Sequence, residues 1–304
     1  MNLTERRTAK AAGYSDDELQ RGCRTGELYR IRPGVYVEAD GVEAADAVDR
    51  YRAAVVAAAL KHGPGAVISH ESAAALHGLR QWTFDPQRVH VTRKPPGGGK
   101  VSARRHLHRA PLPQDHVVEL DGVAVTSVAR TVVDIARTRP FENAVVVGDS
   151  AMRRGMARAD AHAVLGTASC WKGLPAARRA IGFLDPRSDG VGESRSRVLL
   201  SRLGLAPDLK RDITAPDGTV LGPVDFCMPR HGLIGEFDGR VEYGRLLRFG
   251  ADPDGATYAE KLREDALRDL GWQVVRWVWS ELDTPDVIWR RLNRAIARGN
   301  GLSS

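Results

Sequence analysis

A chain of 304 residues carrying 45 Lys and Arg against 38 Asp and Glu, a formal net charge of +7, is long enough for two or three domains that each bury a core. Its three cysteines, Cys23, Cys170 and Cys227, are too scattered for a disulfide framework or a cysteine zinc site, which fits a reducing cytoplasm. The start lacks the apolar core of a signal peptide, and the longest apolar run, Ala53 to Leu60, is too short to span a bilayer, so a soluble protein without a membrane partner is expected.

Residues 1–62 read as a winged helix-turn-helix. A helix over Thr4 to Ala12 is broken by Gly13-Tyr14, and Ser15-Asp16-Asp17-Glu18 is a capping box that opens a second helix ending near Thr25. Residues 27–32 and 35–37 then form a hairpin about Pro33-Gly34. Two short helices followed by a two-stranded wing suit DNA. Gln20, Arg21 and Arg24 would lie on the recognition helix, with Arg30 and Arg32 on the wing.

Gly13 through Tyr36 resembles the N-terminal domain of AbiEi-type antitoxins, and two later phrases extend the likeness. These are Ile68-Ser69-His70-Glu71-Ser72-Ala73-Ala74-Ala75-Leu76-His77-Gly78-Leu79 and Val125-Thr126-Ser127-Val128-Ala129-Arg130-Thr131-Val132-Val133-Asp134. The resemblance implies a transcription factor that represses its own toxin–antitoxin operon.

Residues 63–184 read as a basic α+β middle domain. Strands at 88–92 and 106–108 flank a flexible loop, Pro95-Pro96-Gly97-Gly98-Gly99; a hairpin turns at Asp121-Gly122; helices follow at 128–137, 141–154, 158–167 and 176–184. Residues 61–110 hold nine Lys and Arg against Glu71 and Asp85, which matches the whole excess charge of the chain. Such a segment is the footprint of a phosphate-backbone partner, with Arg93, Lys94, Lys100, Arg104 and Arg105 as its contacts. Gly97-Gly98-Gly99-Lys100 lacks P-loop spacing and is followed by Val101, so no nucleotide cofactor is expected. His106 and His108 share a strand face, and His70 and His77 lie near one helix. Without acid or cysteine partners at metal spacing, these histidines read as structural. Asp185 to Gly190 reads as a linker.

Residues 190–304 run helix, three strands, helix, strand. The helix begins near Glu193; strands cover 208–215, 219–228 and 233–238; a helix at Tyr258 to Leu270 precedes a strand at 272–279 and a last helix at 284–298. Asp225 and Glu236 stand inside apolar runs, where a carboxylate needs a counter-charge or a cation. Trp272, Trp277 and Trp279 are expected to pack.

This order is similar to the PD-(D/E)XK nuclease fold, in the branch of the very-short-patch-repair endonucleases. Glu193, the Asp225 of Val224-Asp225-Phe226, Glu236 with Asp238-Gly239, the basic helix Lys261 to Arg268, and Gly271-Trp272 through Arg276 carry the likeness. It implies that Glu193, Asp225, Glu236 and Asp238 bind Mg²⁺ or Mn²⁺ and that Asp225 and Glu236 are catalytic. The family places Lys two positions after the second acid, where this chain has Asp238. Lys261 on the following helix is the candidate replacement, ahead of Arg263 and Arg268, and Glu242 adds a further acid.

The expected architecture is therefore a multidomain α+β and α/β chain: winged helix-turn-helix, α+β middle domain and restriction-endonuclease-like C-terminal domain. The expected function is metal-dependent hydrolysis of DNA phosphodiesters. The alternative is a non-catalytic repressor or antitoxin of a type IV-like system, partnered by a cognate toxin or a second copy of itself. A third reading takes RNA in place of DNA as the substrate.

Overall fold

The computed structural model describes residues 4–32, 34–38, 47–59, 63, 65–239 and 253–301. Glu242, Pro33 and Lys61 lie outside these, as does the side chain of Arg32. Among the described residues no helix is long and apolar enough to cross a membrane. The chain is a mixed α and β protein that divides into two compact units, 1–184 and 185–304.

The first unit opens with β1 (Thr4–Glu5), α1 (Arg6–Ala11), α2 (Asp16–Thr25), β2 (Leu28–Arg32) and β3 (Val35–Glu38), whose strands form a sheet in the order β1-β3-β2. The Ser15 side chain caps the Glu18 N–H at 3.2 Å while Glu18 Oε2 accepts the Ser15 N–H at 2.7 Å. Gly26 at φ +82° ends the helix, in the left-handed region that glycine enters without strain. Leu19, Ala9 and Tyr36 close a small core beneath.

After α3 (Ala47–Ala59) comes a six-stranded sheet of order β6-β7-β5-β4-β9-β8. Its strands are β4 (Ala66–Ile68), β5 (Val89–Arg93), β6 (Lys100–Val101), β7 (Arg105–Arg109), β8 (Val117–Leu120) and β9 (Val123–Thr126). The short helix α4 (His70–Leu76) follows β4, and β5 runs parallel to β7. Tyr51, Ile68, Val89, Val91 and Val125 form the core of this layer. The loop between β5 and β6 is anchored, because Arg109 donates to the carbonyls of Lys94 (2.9 Å) and Gly98 (3.4 Å). Four helices follow: α5 (Val128–Thr138), α6 (Phe141–Arg153), α7 (Arg158–Thr167) and α8 (Leu174–Phe183), packed about Val132, Ile135, Val147 and Ile181. On α5, Arg130 and Asp134 are fully buried and bonded at 2.9 Å, one turn apart, so the second antitoxin-like phrase supplies a core ion pair.

The second unit contains α9 (Val191–Arg202), β10 (Asp208–Thr214), β11 (Val220–Met228), β12 (Leu233–Asp238), α10 (Pro253–Asp269), β13 (Gln273–Val278), α11 (Trp279–Leu282) and α12 (Pro285–Gly301). The sheet order is β10-β11-β12-β13; the first three strands are antiparallel and β13 is parallel to β12. A parallel pair needs a crossover, which α10 provides. Within the stretch expected as a linker, Arg187 pairs with Asp185 at 2.8 Å and Ser188 is buried. Trp279 begins a helix instead of ending a strand, because Glu281 Oε2 captures the Val278 N–H at 3.1 Å. Trp277 is 1% exposed and packs on Phe226 with ring centroids 5.6 Å apart.

Candidate functional site

Glycines bring α9 down onto the sheet. A Cβ on Gly192 would come within 2.0 Å of the Phe237 ring, and one on Gly235 within 2.4 Å of the Trp277 ring. Trp277 Nε1 donates to Ser196 Oγ (2.8 Å), whose own hydroxyl donates to the Gly192 carbonyl (2.7 Å). The first turn of α9, with Glu193, is thereby pinned beside the strand carrying Asp225.

There the strands lose their regularity. Residues two apart on a strand face the same way, yet Val224 and Phe226 join different hydrophobic clusters, and so do Leu209 and Ile213 on β10. The break falls at Lys210, at φ +52°, and at Asp225. The register pairs Leu209 with Phe226 and Arg211 with Val224 and skips the residues between them. This local fault behaves as a bulge does and re-aims two side chains.

The re-aimed ammonium of Lys210 lies 2.7 Å from Asp225 Oδ1, 3.0 Å from Asp189 Oδ2 and 3.1 Å from Glu193 Oε1. The carboxylates of Asp225 and Glu193 also hold structure. Asp225 Oδ2 accepts the Phe237 N–H at 2.9 Å, next to the last β11–β12 register pair, and Glu193 Oε2 accepts the Asp189 N–H at 2.7 Å. Burial alone would lower the Lys210 pKa, but its bonds to Asp225 and Asp189 outweigh that and hold it above the ordinary lysine range. Burial raises the Glu193 carboxyl, and the charge of Asp225 adds to the rise against the opposing Asp189 N–H and Lys210. Both partners move up because one ammonium collects three carboxylates, whereas Glu193 shares that ammonium and faces a like charge.

Glu236 belongs to a separate network. The parallel register sets it against Arg276, whose Nε lies 2.9 Å from Oε2, while Arg263 Nη1 lies 3.1 Å from Oε1. Arg276 also meets Glu264 at 3.1 Å and contacts Glu260. Arg263 is fixed by the carbonyls of Leu221 (2.9 Å) and Pro223 (2.8 Å). Asp238 ends β12 opposite Val278. Lys261 is exposed on α10, on a helix whose Arg263 reaches Glu236. The cation beside the helix glutamate and strand aspartate is Lys210, which sequence reasoning missed.

The donors around Lys210 are all oxygens, the chemistry that suits Mg²⁺ or Mn²⁺. Among the described residues, however, the carboxylates of Glu193, Asp225, Glu236 and Asp238 do not form a group of three with ligand atoms within 4.8 Å of one another.

In the first unit, Gln20, Arg21, Arg24 and Arg30 are exposed, as are Lys94, Lys100, Arg104 and Arg105. Arg93 is half-buried and donates to the Gly63 carbonyl at 3.3 Å. Arg30 and Arg104, distant in sequence, line one cleft of about 770 Å³ together with Arg50 and Tyr29.

No family model matches this chain. It is similar to two uncharacterized proteins of Mycobacterium tuberculosis: MT2308 of strain CDC 1551 and Rv2248 of strain H37Rv. Each is 26% identical over 266 residues, spanning 85% of this chain and 88% of the relative. Among solved structures, the crystal structure of the RV2827C protein from Mycobacterium tuberculosis aligns over 71% of this chain and 85% of its own, at 15% identity and a TM-score of 0.37.

Proposed function

We propose that the second unit is a divalent-metal-dependent phosphodiesterase acting on DNA, presented to it by a winged-helix-like, basic first unit. The observation that carries the reading is Lys210 held among Asp189, Glu193 and Asp225 at a fault in the sheet. Such clustering of a lysine with a helix Glu and a strand Asp gives oxygen donors for a hard cation and a positive group for a phosphate. When bound, Mg²⁺ or Mn²⁺ would acidify a water and offset charge on the phosphoryl oxygens. Glu193 and Asp225 would hold it. Released from them, Lys210 would orient the attacking water or stabilise the leaving oxygen, the part first assigned to Lys261. The arginines at 30 and 104, with Lys94, Lys100 and Arg105, would grip the sugar–phosphate backbone.

Supercoiled plasmid incubated with Mg²⁺ or Mn²⁺, with and without EDTA, tests the reading, alongside labelled DNA and RNA strands. Metal-dependent nicking by the parent that Asp225→Ala abolishes without loss of DNA binding supports it. Equal nicking by both proteins rejects it.

One observation favours a second reading, the non-catalytic repressor or antitoxin. Both oxygens of Glu236 are closed by arginines, which is how a structural acid is kept in a partly buried place. The second unit would then serve self-association or capture of a cognate toxin. A gel shift on the DNA upstream of the gene, with no cleavage in any metal, selects this reading.

A further inference from the structure

We infer that His70, His90 and His108 form a binding site for a first-row transition metal of the zinc class, remote in sequence from the carboxylates around Lys210. Their ligand atoms all lie within 4.8 Å of one another, the one such group among the described residues. Sequence reasoning set His70 and His108 aside for want of partners and did not weigh His90. The fold supplies them: β5 and β7 run parallel with His90 opposite His106 and Thr92 opposite His108, while α4 carries His70 over the same face.

Three features mark this cluster. First, His90 Nδ1 and His108 Nε2 share a hydrogen bond of 3.0 Å; a tetrahedral zinc with bonds near 2.0 Å holds two nitrogens about 3.3 Å apart, so a metal would replace that hydrogen bond with little movement of the two atoms, while the His70 ring, stacked on His108 at 3.7 Å, would turn to bring its lone pair to the same ion. Second, His70 is 1% exposed, and its Nε2 is buried with no hydrogen-bond partner. Its other nitrogen, Nδ1, meets Ser69 Oγ at 3.0 Å, and that oxygen in turn accepts from the Thr92 hydroxyl at 2.8 Å. A bond from Nδ1–H to Ser69 leaves Nε2 as a bare lone pair, the arrangement by which an outer partner sets a ligand's tautomer. Third, His70 sits at φ +52°, a conformation costly for a residue with a Cβ, at the first position of α4. Strain of this kind persists where the surroundings fix a side chain's direction.

One buried acid faces the cluster, set against the positive charges of Arg88, Arg130, Arg137 and Arg139 around it. Glu71 Oε2 is buried without a hydrogen bond, 3.3 Å from His90 Nδ1, and Oε1 lies 2.9 Å from Arg139. Burial, before any charge effect, pushes His70, His90, His106 and His108 below the ordinary imidazole range, His90 to about 4. Neutral rings are the form that ligates. His106, half-buried and stacked on His108 at 3.8 Å, closes the cluster on its other side. Imidazole donors select zinc, cobalt or nickel over magnesium.

The experiment strips the full-length protein with a chelator, dialyses it, and titrates it with Co²⁺, Zn²⁺ and Mg²⁺ while recording the cobalt visible spectrum and thermal melting. The expected result is about one Co²⁺ per chain with a ligand-field spectrum, displaced by Zn²⁺ and indifferent to Mg²⁺, with a raised Tm. Ser69→Ala weakens cobalt binding by about 10- to 100-fold. His90→Ala and His108→Ala remove the spectrum, while His162→Ala leaves it unchanged. Absence of a cobalt spectrum in the stripped parent, or its persistence in a His90→Ala/His108→Ala double variant, overturns the assignment. Neither result depends on whether the second unit cuts DNA.

Discussion

Lys210 Nζ and Asp225 Oδ1 meet at 2.7 Å across β10 and β11, at the place where both strands lose their alternation. Had the strands stayed regular, Lys210 would have kept the facing set by its neighbours, and Glu193 would have lacked a cation on the sheet. The positive φ of Lys210 thus goes with an ammonium that reaches both Glu193 and Asp225.

Replacing that lysine separates the two lysine assignments. Lys210→Met is expected to reduce metal-dependent nicking by about 10²- to 10³-fold, the usual effect of removing one charge-stabilising group. Lys261→Ala should leave the rate near that of the parent. A plasmid-nicking time course checks both, and the reverse pattern would return the role to Lys261.

Stability and function should part company at Glu193. Its carboxyl is raised in the folded state, by burial first, so the fold holds this proton more tightly than the unfolded chain does. The group therefore favours folding below the ordinary glutamate range, and that contribution disappears as pH rises through the raised value. Glu193→Gln, neutral throughout, should be no less stable than the parent at pH 7 yet inactive in nicking. Urea titrations at pH 7 and at about pH 4, run beside the nicking assay, measure this; a large loss of stability at pH 7 contradicts it.

Gly192 tests how α9 is placed. An alanine there puts Cβ into the Phe237 ring, and the helix start must move. A cost of about 1–3 kcal/mol is expected, as for other overpacked sites. Nicking should fall beyond what the lost stability explains, because Glu193 moves away from Asp225. Chemical denaturation and activity at a temperature where the variant is fully folded distinguish the two effects.

Arg276→Ala would leave Glu236 with Arg263 alone. Arg276 keeps 36% of its side chain in water, so the loss should be about 1–2 kcal/mol, below that for a fully buried pair. If Glu236 is purely structural, nicking by the folded variant should be unaltered, whereas a catalytic Glu236 would show a changed metal dependence.

Neutralising Lys94, Lys100, Arg104 and Arg105 together should flatten the salt dependence of DNA binding. Each lost phosphate contact removes about 0.9 from the slope of log K against log salt. Fluorescence anisotropy over a salt series reads it, and an unchanged slope places the DNA elsewhere.

Much of this protein is legible in its residues. The capping box at Ser15 and Glu18, the alternation of Val89 and Val91, and the helix, three-strand, helix, strand order of the second unit follow from local propensity and hydrophobic period. Asp225 and Glu236 stood out because carboxylates inside apolar runs require partners. Which partners they took was beyond local reasoning. Lys210 reaches Asp225 and Glu193 through a backbone fault that no period reveals, and Glu236 meets Arg276 through a parallel register 40 residues apart. The histidines at 70, 90 and 108 likewise converge only when β5 and β7 pair and α4 packs above them. Sequence fixes what each segment becomes because backbone and side-chain preferences act over a few residues. Tertiary packing fixes which charges and lone pairs face one another, since those distances depend on strand register and helix docking across the whole unit.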